Sequence, residues 1–347
     1  MNKSAILILS ISVLLVSSCS LTNMPIEVMR PADIFVPLDI KNLAIANRSI
    51  AGKGHKVGNV VEGLFSGEGI GNDRKGSQHC VQGLVDMMKD SPRYTAVNAS
   101  SDELRGKGGN QWPAPLEWDE VKEICSLYNA DALITLATFD SDSRIYDGKP
   151  TEQTKTVDGK KKTYLSYPCN IDMEVTAGWR IYDVGALRIV DQNRYTDVKS
   201  FDATGTSPED SRDKLPSKNR IIKAAGENAG AQYGYRISPM WVTVNRNYFT
   251  KGHDNFKMAK DSLKEEKWWV AAKYYQQICH DPDPKIKGRA CYNLAFVNEM
   301  IGYLDVAIDW VKEAEGYGIR QASSYYNVLV QRKIDAKKLD EQLKESE

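Results

Sequence analysis

Residues Ile171–Val184 read IDMEVTAGWRIYDV. Ile171, Met173, Val175, Ala177, Trp179 and Ile181 fall on one side of a two-residue period, with Asp172, Glu174, Thr176, Gly178, Arg180 and Tyr182 on the other. Successive strand side chains point to opposite faces, so the stretch is predicted to be a long strand with one dry and one wet face. A turn around Gly185 follows, and ALRIVDQNRYTDV returns as the hairpin partner.

The elements on either side of this hairpin set the fold class. Ahead of it, Ala130–Phe139 (ADALITLATF) is almost continuously apolar, as a central strand covered on both faces would be. Lys41–Ile50 (KNLAIANRSI) reads as a first strand and Arg93–Val97 (RYTAV) as a short one. Between them Val81, Leu84, Val85 and Met88 stand at i, i+3, i+4 and i+7, one face of a helix, with Ser77 placed to cap it. Val121, Ile124, Cys125 and Tyr128 repeat the helical spacing. The order βαβαβ predicts a layered α/β (α+β) sheet domain. A helix near Lys218–Tyr235 and a strand near Met240–Phe249 are expected to close it, while the lysine-rich run Ser141–Asn170 is expected to be a solvated polar hairpin.

These phrases resemble the fold shared by the amino-terminal domain of TolB and the curli-secretion lipoprotein CsgG, over about Lys41 to Thr250. The resemblance is one of topology and implies no catalytic residue. The pore-forming members insert hairpins with apolar faces, and Ser141–Asn170 is too polar for that. A secretion-type oligomer is therefore a secondary reading.

The last third has another period. Aligning Ala271 of KWWVAAKYYQQI with Ala307 of GYLDVAIDWVKEA also aligns Trp268 with Leu304, Tyr275 with Val311 and Ile278 with Ala314. Small and large helix positions recurring at roughly 34 residues resemble the tetratricopeptide family, and imply an all-α repeat domain closed by a helix over Ser323–Leu343. Trp268, Trp269, Tyr274, Tyr275, Tyr325 and Tyr326 come in adjacent pairs. Helix neighbours point about 100° apart, so one of each pair can enter the core while the other stays near the surface. These six are the candidate partner-binding residues.

The amino end bears on location. Lys3 precedes Ala5–Val16, an apolar run too short for the roughly 20 residues of a membrane-crossing helix and suited to a cleavable signal. Val16-Ser17-Ser18-Cys19 resembles the lipobox of bacterial lipoproteins, which implies acylation of Cys19. Ser20, where inner-membrane retention would call for aspartate, implies an outer-membrane anchor facing the periplasm. The expected organisation is a signal peptide over 1–18, a lipidated tether over 19–38, the α/β domain over 39–250 and the helical repeats over 251–347.

Composition narrows the function. Among 347 residues, Lys+Arg 46 balance Asp+Glu 46, and no basic patch suggests nucleic acid. The stretch from Gly52 to Gly76 is glycine-rich, but Ser77 and Gln78 stand where a phosphate-binding loop needs Lys and Ser/Thr. Four scattered histidines and no CxxC argue against zinc. Beyond Cys19 remain Cys80, Cys125, Cys169, Cys279 and Cys291, an odd set whose pairing stays open. The reading is a non-catalytic envelope scaffold that binds a protein partner, touches the membrane through its lipid and needs no cofactor or metal. The rival is an enzyme acting on envelope glycans, with Asp140 and Asp142 at the strand end as its acid and base.

Overall fold

The computed structural model describes residues 21–50, 69–100, 104, 106 and 111–344. Cys19, the signal segment and most of the glycine-rich stretch lie outside the described residues. The described residues divide into two compact units, those within Met29–Trp241 together with 338–344, and 21–28 together with Val242–Lys337.

The larger unit is built on a mixed sheet. Strand β2 (Asn42–Asn47) pairs in parallel with β3 (Thr95–Asn98) and β4 (Ala132–Asp147). Antiparallel pairing then joins β4 to β6 (Lys160–Asp183), and β6 to β7 (Arg188–Gly205). The decisive hairpin is thus present, and β4 is the central strand, with Ala132–Phe139 all buried. Helices α1 (Gly69–Met88) and α4 (Lys218–Ile237) cover one face, where Ile134, Val175, Trp179 and Tyr233 form the main core. Helix α2 (Trp118–Tyr128) covers the other face only near β2 and β4, over Ala44, Ala46, Leu133 and Tyr182. Dry–wet alternation therefore holds in β6 from Cys169 to Ala177, and both faces are buried from Ala177 to Asp183.

The alternation of β4 is not continuous. Its pairing with β6 slips between Leu136 and Thr138. Before the slip Ala132, Ile134 and Leu136 face α1 and α4; after it Phe139 does. One extra residue reverses the phase of a strand.

Helices α1 and α4 meet backbone to backbone. A Cβ added to Gly230 would lie 1.9 Å from the Cys80 carbonyl oxygen, and one on Gly83 2.2 Å from that of Glu227. Only glycine permits that approach. Gly76 also lies in this layer, under the Phe139 ring. Ser77, expected as a helix cap, is inside α1. Its hydroxyl accepts from Asn47 and donates to the Arg74 carbonyl, because α1 begins earlier than its apolar spacing indicates.

The polar excursion is an ordered hairpin of β5 (Thr151–Val157) with the start of β6, turning at Asp158 and Gly159, both with positive φ. All of β5 is exposed. At the β6–β7 turn the left-handed residue is Leu187 (φ 50) and not Gly185; the Asp183 carboxylate accepts from the Ala186 amide and holds the turn.

The smaller unit contains most of β1 (Leu21–Arg30) and of β8 (Met240–Phe249), helices α5 (Asp254–Lys264), α6 (Trp268–Ile278), α7 (Pro284–Ile301) and α8 (Leu304–Gly316), and most of α9 (Ala322–Leu343). Two expectations are corrected. Leu21–Arg30, read as tether, is a ten-residue strand, and β8 does not close the α/β sheet but pairs with β1. Ile26 and Val28 of β1 are buried with the helices, which is why an apparently polar segment is ordered. His253 and Asp283 cap α5 and α7, and Gly302 (φ 92) ends α7 in the left-handed conformation.

This unit buries a charged centre. Glu299, 1% exposed in its side chain, accepts from Arg246 Nη2 at 2.8 Å and from the Tyr325 hydroxyl at 2.6 Å, with Arg332 at 3.4 Å. Beside it the Asn293 side chain accepts from the Phe249 amide and donates to the Phe249 carbonyl, each at 2.8 Å.

Candidate functional site

The six aromatic candidates divide by burial. Tyr275, packed on Phe256, and Tyr325, packed on Tyr292, are core residues and are withdrawn as partner contacts. Trp268, Tyr274 and Tyr326 are half-buried, Trp268 edge-on to Phe296 and Tyr326 under the Lys312 ammonium. Trp269 is 57% exposed. One member of each pair is the more deeply buried, but Tyr274 and Tyr326 also pack against the core, and of the six only Trp269 is exposed.

Trp269 is not isolated. Its ring meets that of Tyr303, itself 52% exposed, edge to face at 5.9 Å. Val270 and Val306 add exposed apolar surface at 40% and 44%. The backbone explains the placement. Glu266 (φ 55) turns the chain into α6, and Gly302 turns it into α8, so each helix of the pair starts by presenting an aromatic residue. A large side chain already held by a neighbouring ring loses little freedom when it is covered, which suits contact with apolar groups of a partner. Tyr303 was absent from the sequence candidates. Its signal was an aromatic directly after a helix-ending glycine with Val306 one turn on.

The acidic candidates are arranged differently. Ser141, Ser143 and Ile145 lie on the helix-covered face of β4, so Asp140, Asp142 and Arg144 project from the other face, where Asp140 stands opposite Thr176 and Asp142 opposite Glu174. Asp142 is exposed. The pair is part of a solvated sheet surface and does not converge on a cleft. A third carboxylate, Asp73, is half-buried on the helix side and accepts from the Ser141 hydroxyl at 2.7 Å. Burial pushes its carboxyl up to about 6, and the charges of Asp140 and Asp142 push the same way. Nearby a cavity of about 300 Å³ opens between Ile145, Ile171 and Met173 of the sheet and Leu215, Pro216 and Ile221. Ser141, Ser143, Arg212, Asp213 and Lys218 complete its lining, so its walls are mixed.

All five cysteines from Cys80 onward are buried and free. Burial raises each thiol, that of Cys125 to about 11 and that of Cys291 to about 12. Among the described residues no group of three or more His, Cys, Asp or Glu side chains could hold a metal, and no helix is long and apolar enough to cross a membrane.

No curated protein matches the chain. Among solved structures it is similar to a PelC dodecamer from Paraburkholderia phytofirmans, at 13% identity over 62% of this chain and 99% of that one, with a TM-score of 0.21. It is also similar to the hypothetical protein CT253 from Chlamydia trachomatis, at 8% identity over 56% of this chain and 96% of that one, also with a TM-score of 0.21. At that TM-score neither likeness carries an argument. Residues 257–332, within the helical unit, match the domain of unknown function DUF6340. Residues 40–249, more than half of the chain, match the domain of unknown function DUF8603, and the chain belongs to that family.

Proposed function

We propose that this chain is a non-catalytic, envelope-anchored lipoprotein that docks a protein partner on its helical unit. The observation that carries the reading is the exposed aromatic step of Trp269 on Tyr303, extended by Val270 and Val306. Exposed clusters of this kind on monomers commonly mark interaction sites. The partner is a protein segment presenting apolar side chains. The recurrence of buried Ala271 and Ala307, Tyr275 and Val311, and Ile278 and Ala314 supports a tetratricopeptide-like arrangement. The βαβαβ order ahead of the long hairpin supports a TolB-N/CsgG-like reading of the α/β unit, and acylation of Cys19 at its lipobox-like context supplies an anchor in the outer membrane facing the periplasm. The solvated, non-convergent placement of Asp140 and Asp142 weighs against the glycan-enzyme reading.

A photoreactive residue in place of Tyr303, activated in intact cells, tests the docking reading. The expected result is one dominant adduct with another protein, reduced at least tenfold by Trp269→Ala and unaffected by substitution at exposed Leu127. An adduct insensitive to Trp269→Ala, or turnover of a cell-wall fragment abolished by Asp140→Asn, would overturn it. Acylation is checked separately by mass spectrometry of the mature amino terminus.

A further inference from the structure

We propose that β7 pairs antiparallel with β7 of a second copy of this chain, joining two sheets across a dyad at Val198. Strand β7 has eighteen residues, bonds to β6 along one edge and, among the described residues, pairs with no strand along the other. Such an edge presents a row of backbone donors and acceptors to any strand that fits it. What fits is another β7.

Centring the pairing on Val198 sets Arg194 opposite Asp202, Asp197 opposite Lys199, Thr196 opposite Ser200 and Tyr195 opposite Phe201. Every charged residue from Arg194 to Asp202 then meets its opposite, and the two aromatics meet each other. Cross-strand pairs of both kinds stabilise antiparallel sheets. The faces agree as well. Tyr195, Asp197, Lys199 and Phe201 lie on the helix-covered face, opposite Ala177, Val175, Met173 and Ile171 of β6. Arg194, Thr196, Val198, Ser200 and Asp202 lie on the open face. A dyad perpendicular to the sheet keeps each face where it is, as an isologous contact requires.

The register is also protected against slipping. Moving each strand by one residue in either direction puts Asp197 or Lys199 opposite its own copy, a like-charge contact on the axis. The charged groups are already oriented: Asp202 accepts from Asn170 at 2.8 Å, Asp197 accepts from Asn228, and Arg194 stacks over Trp112 at 5.1 Å. Val198, 49% exposed in one copy, meets itself on the axis and is covered. A single lysine ordinarily guards an edge against pairing. Here Lys199 meets a carboxylate instead.

The test uses the full chain purified in mild detergent, with Val198→Cys as the probe and Leu127→Cys, on the 76% exposed Leu127 of α2, as the reference. Under mild oxidant V198C is expected to form a disulfide-linked dimer at least tenfold faster than L127C. Adding K199D should slow it at least tenfold by placing two carboxylates together, and D197K/K199D should restore it by exchanging the charges. Equal rates for V198C and L127C, a V198C rate that K199D leaves unchanged, or a disulfide to a chain of different mass in cells would each overturn the proposal.

Discussion

Replacing Asp73 by asparagine is expected to stabilise the protein at neutral pH and to do nothing in acid. The carboxyl is raised from 3.8 to about 6, first by burial and then by repulsion from Asp140 and Asp142, against the opposing hydrogen bond from Ser141. The folded state therefore holds its proton more tightly than the unfolded state does. As pH rises from about 4 to about 6 the unfolded chain ionises at no cost while the folded chain resists, so stability falls through that window and stays low above it. Roughly two units at 1.36 kcal/mol each place the full penalty near ~3 kcal/mol. In Asp73→Asn the charge is gone, and the amide oxygen can still accept from Ser141. Urea unfolding followed by tryptophan fluorescence at pH 8 should show a gain of about 2 to 3 kcal/mol, with the two proteins coinciding near pH 3.5. No gain at pH 8, or the same gain at both values, would refute the reasoning.

Glu299→Gln leaves Arg246 and Arg332 without their buried counter-charge and should cost about 3 to 5 kcal/mol, measured as a lowered urea midpoint of the helical unit. Gly230→Ala forces a methyl to 1.9 Å from the Cys80 carbonyl and should cost about 2 kcal/mol or more, whereas Gly316→Ala, with nothing within 4 Å, should leave the melting temperature within a degree or two. The five thiols from Cys80 to Cys291, buried and raised, should be silent toward a thiol-specific colour reagent in the native protein and react together in denaturant.

Much of the architecture was legible because its signals are local. Period-two alternation over Ile171–Ile181 and the apolar run at Ala132–Phe139 each follow from what one segment must bury, and both elements stand where that logic put them. Readings failed where burial depends on distant partners. Leu21–Arg30 looks like a tether until β8 pairs with it, and the slip in β4 shows only against β6. Glycines 83 and 230 carry no periodic signal of their own; their meaning is the carbonyl each one lets in. At the candidate site the adjacent aromatics are visible in sequence, but their depth of burial is not: Tyr275 and Tyr325 are core residues, and Tyr303 is exposed beside Trp269.

Asn293 has a consequence for how the β1–β8 ribbon ends. A carboxamide carries the same donor and acceptor as a peptide group, and here it takes both hydrogen-bonding atoms of Phe249. At that residue α7 acts as a one-rung counterfeit strand. A ribbon sealed in this way cannot recruit a third strand at Phe249, so that end of β8 is closed by a single side chain borrowed from a helix.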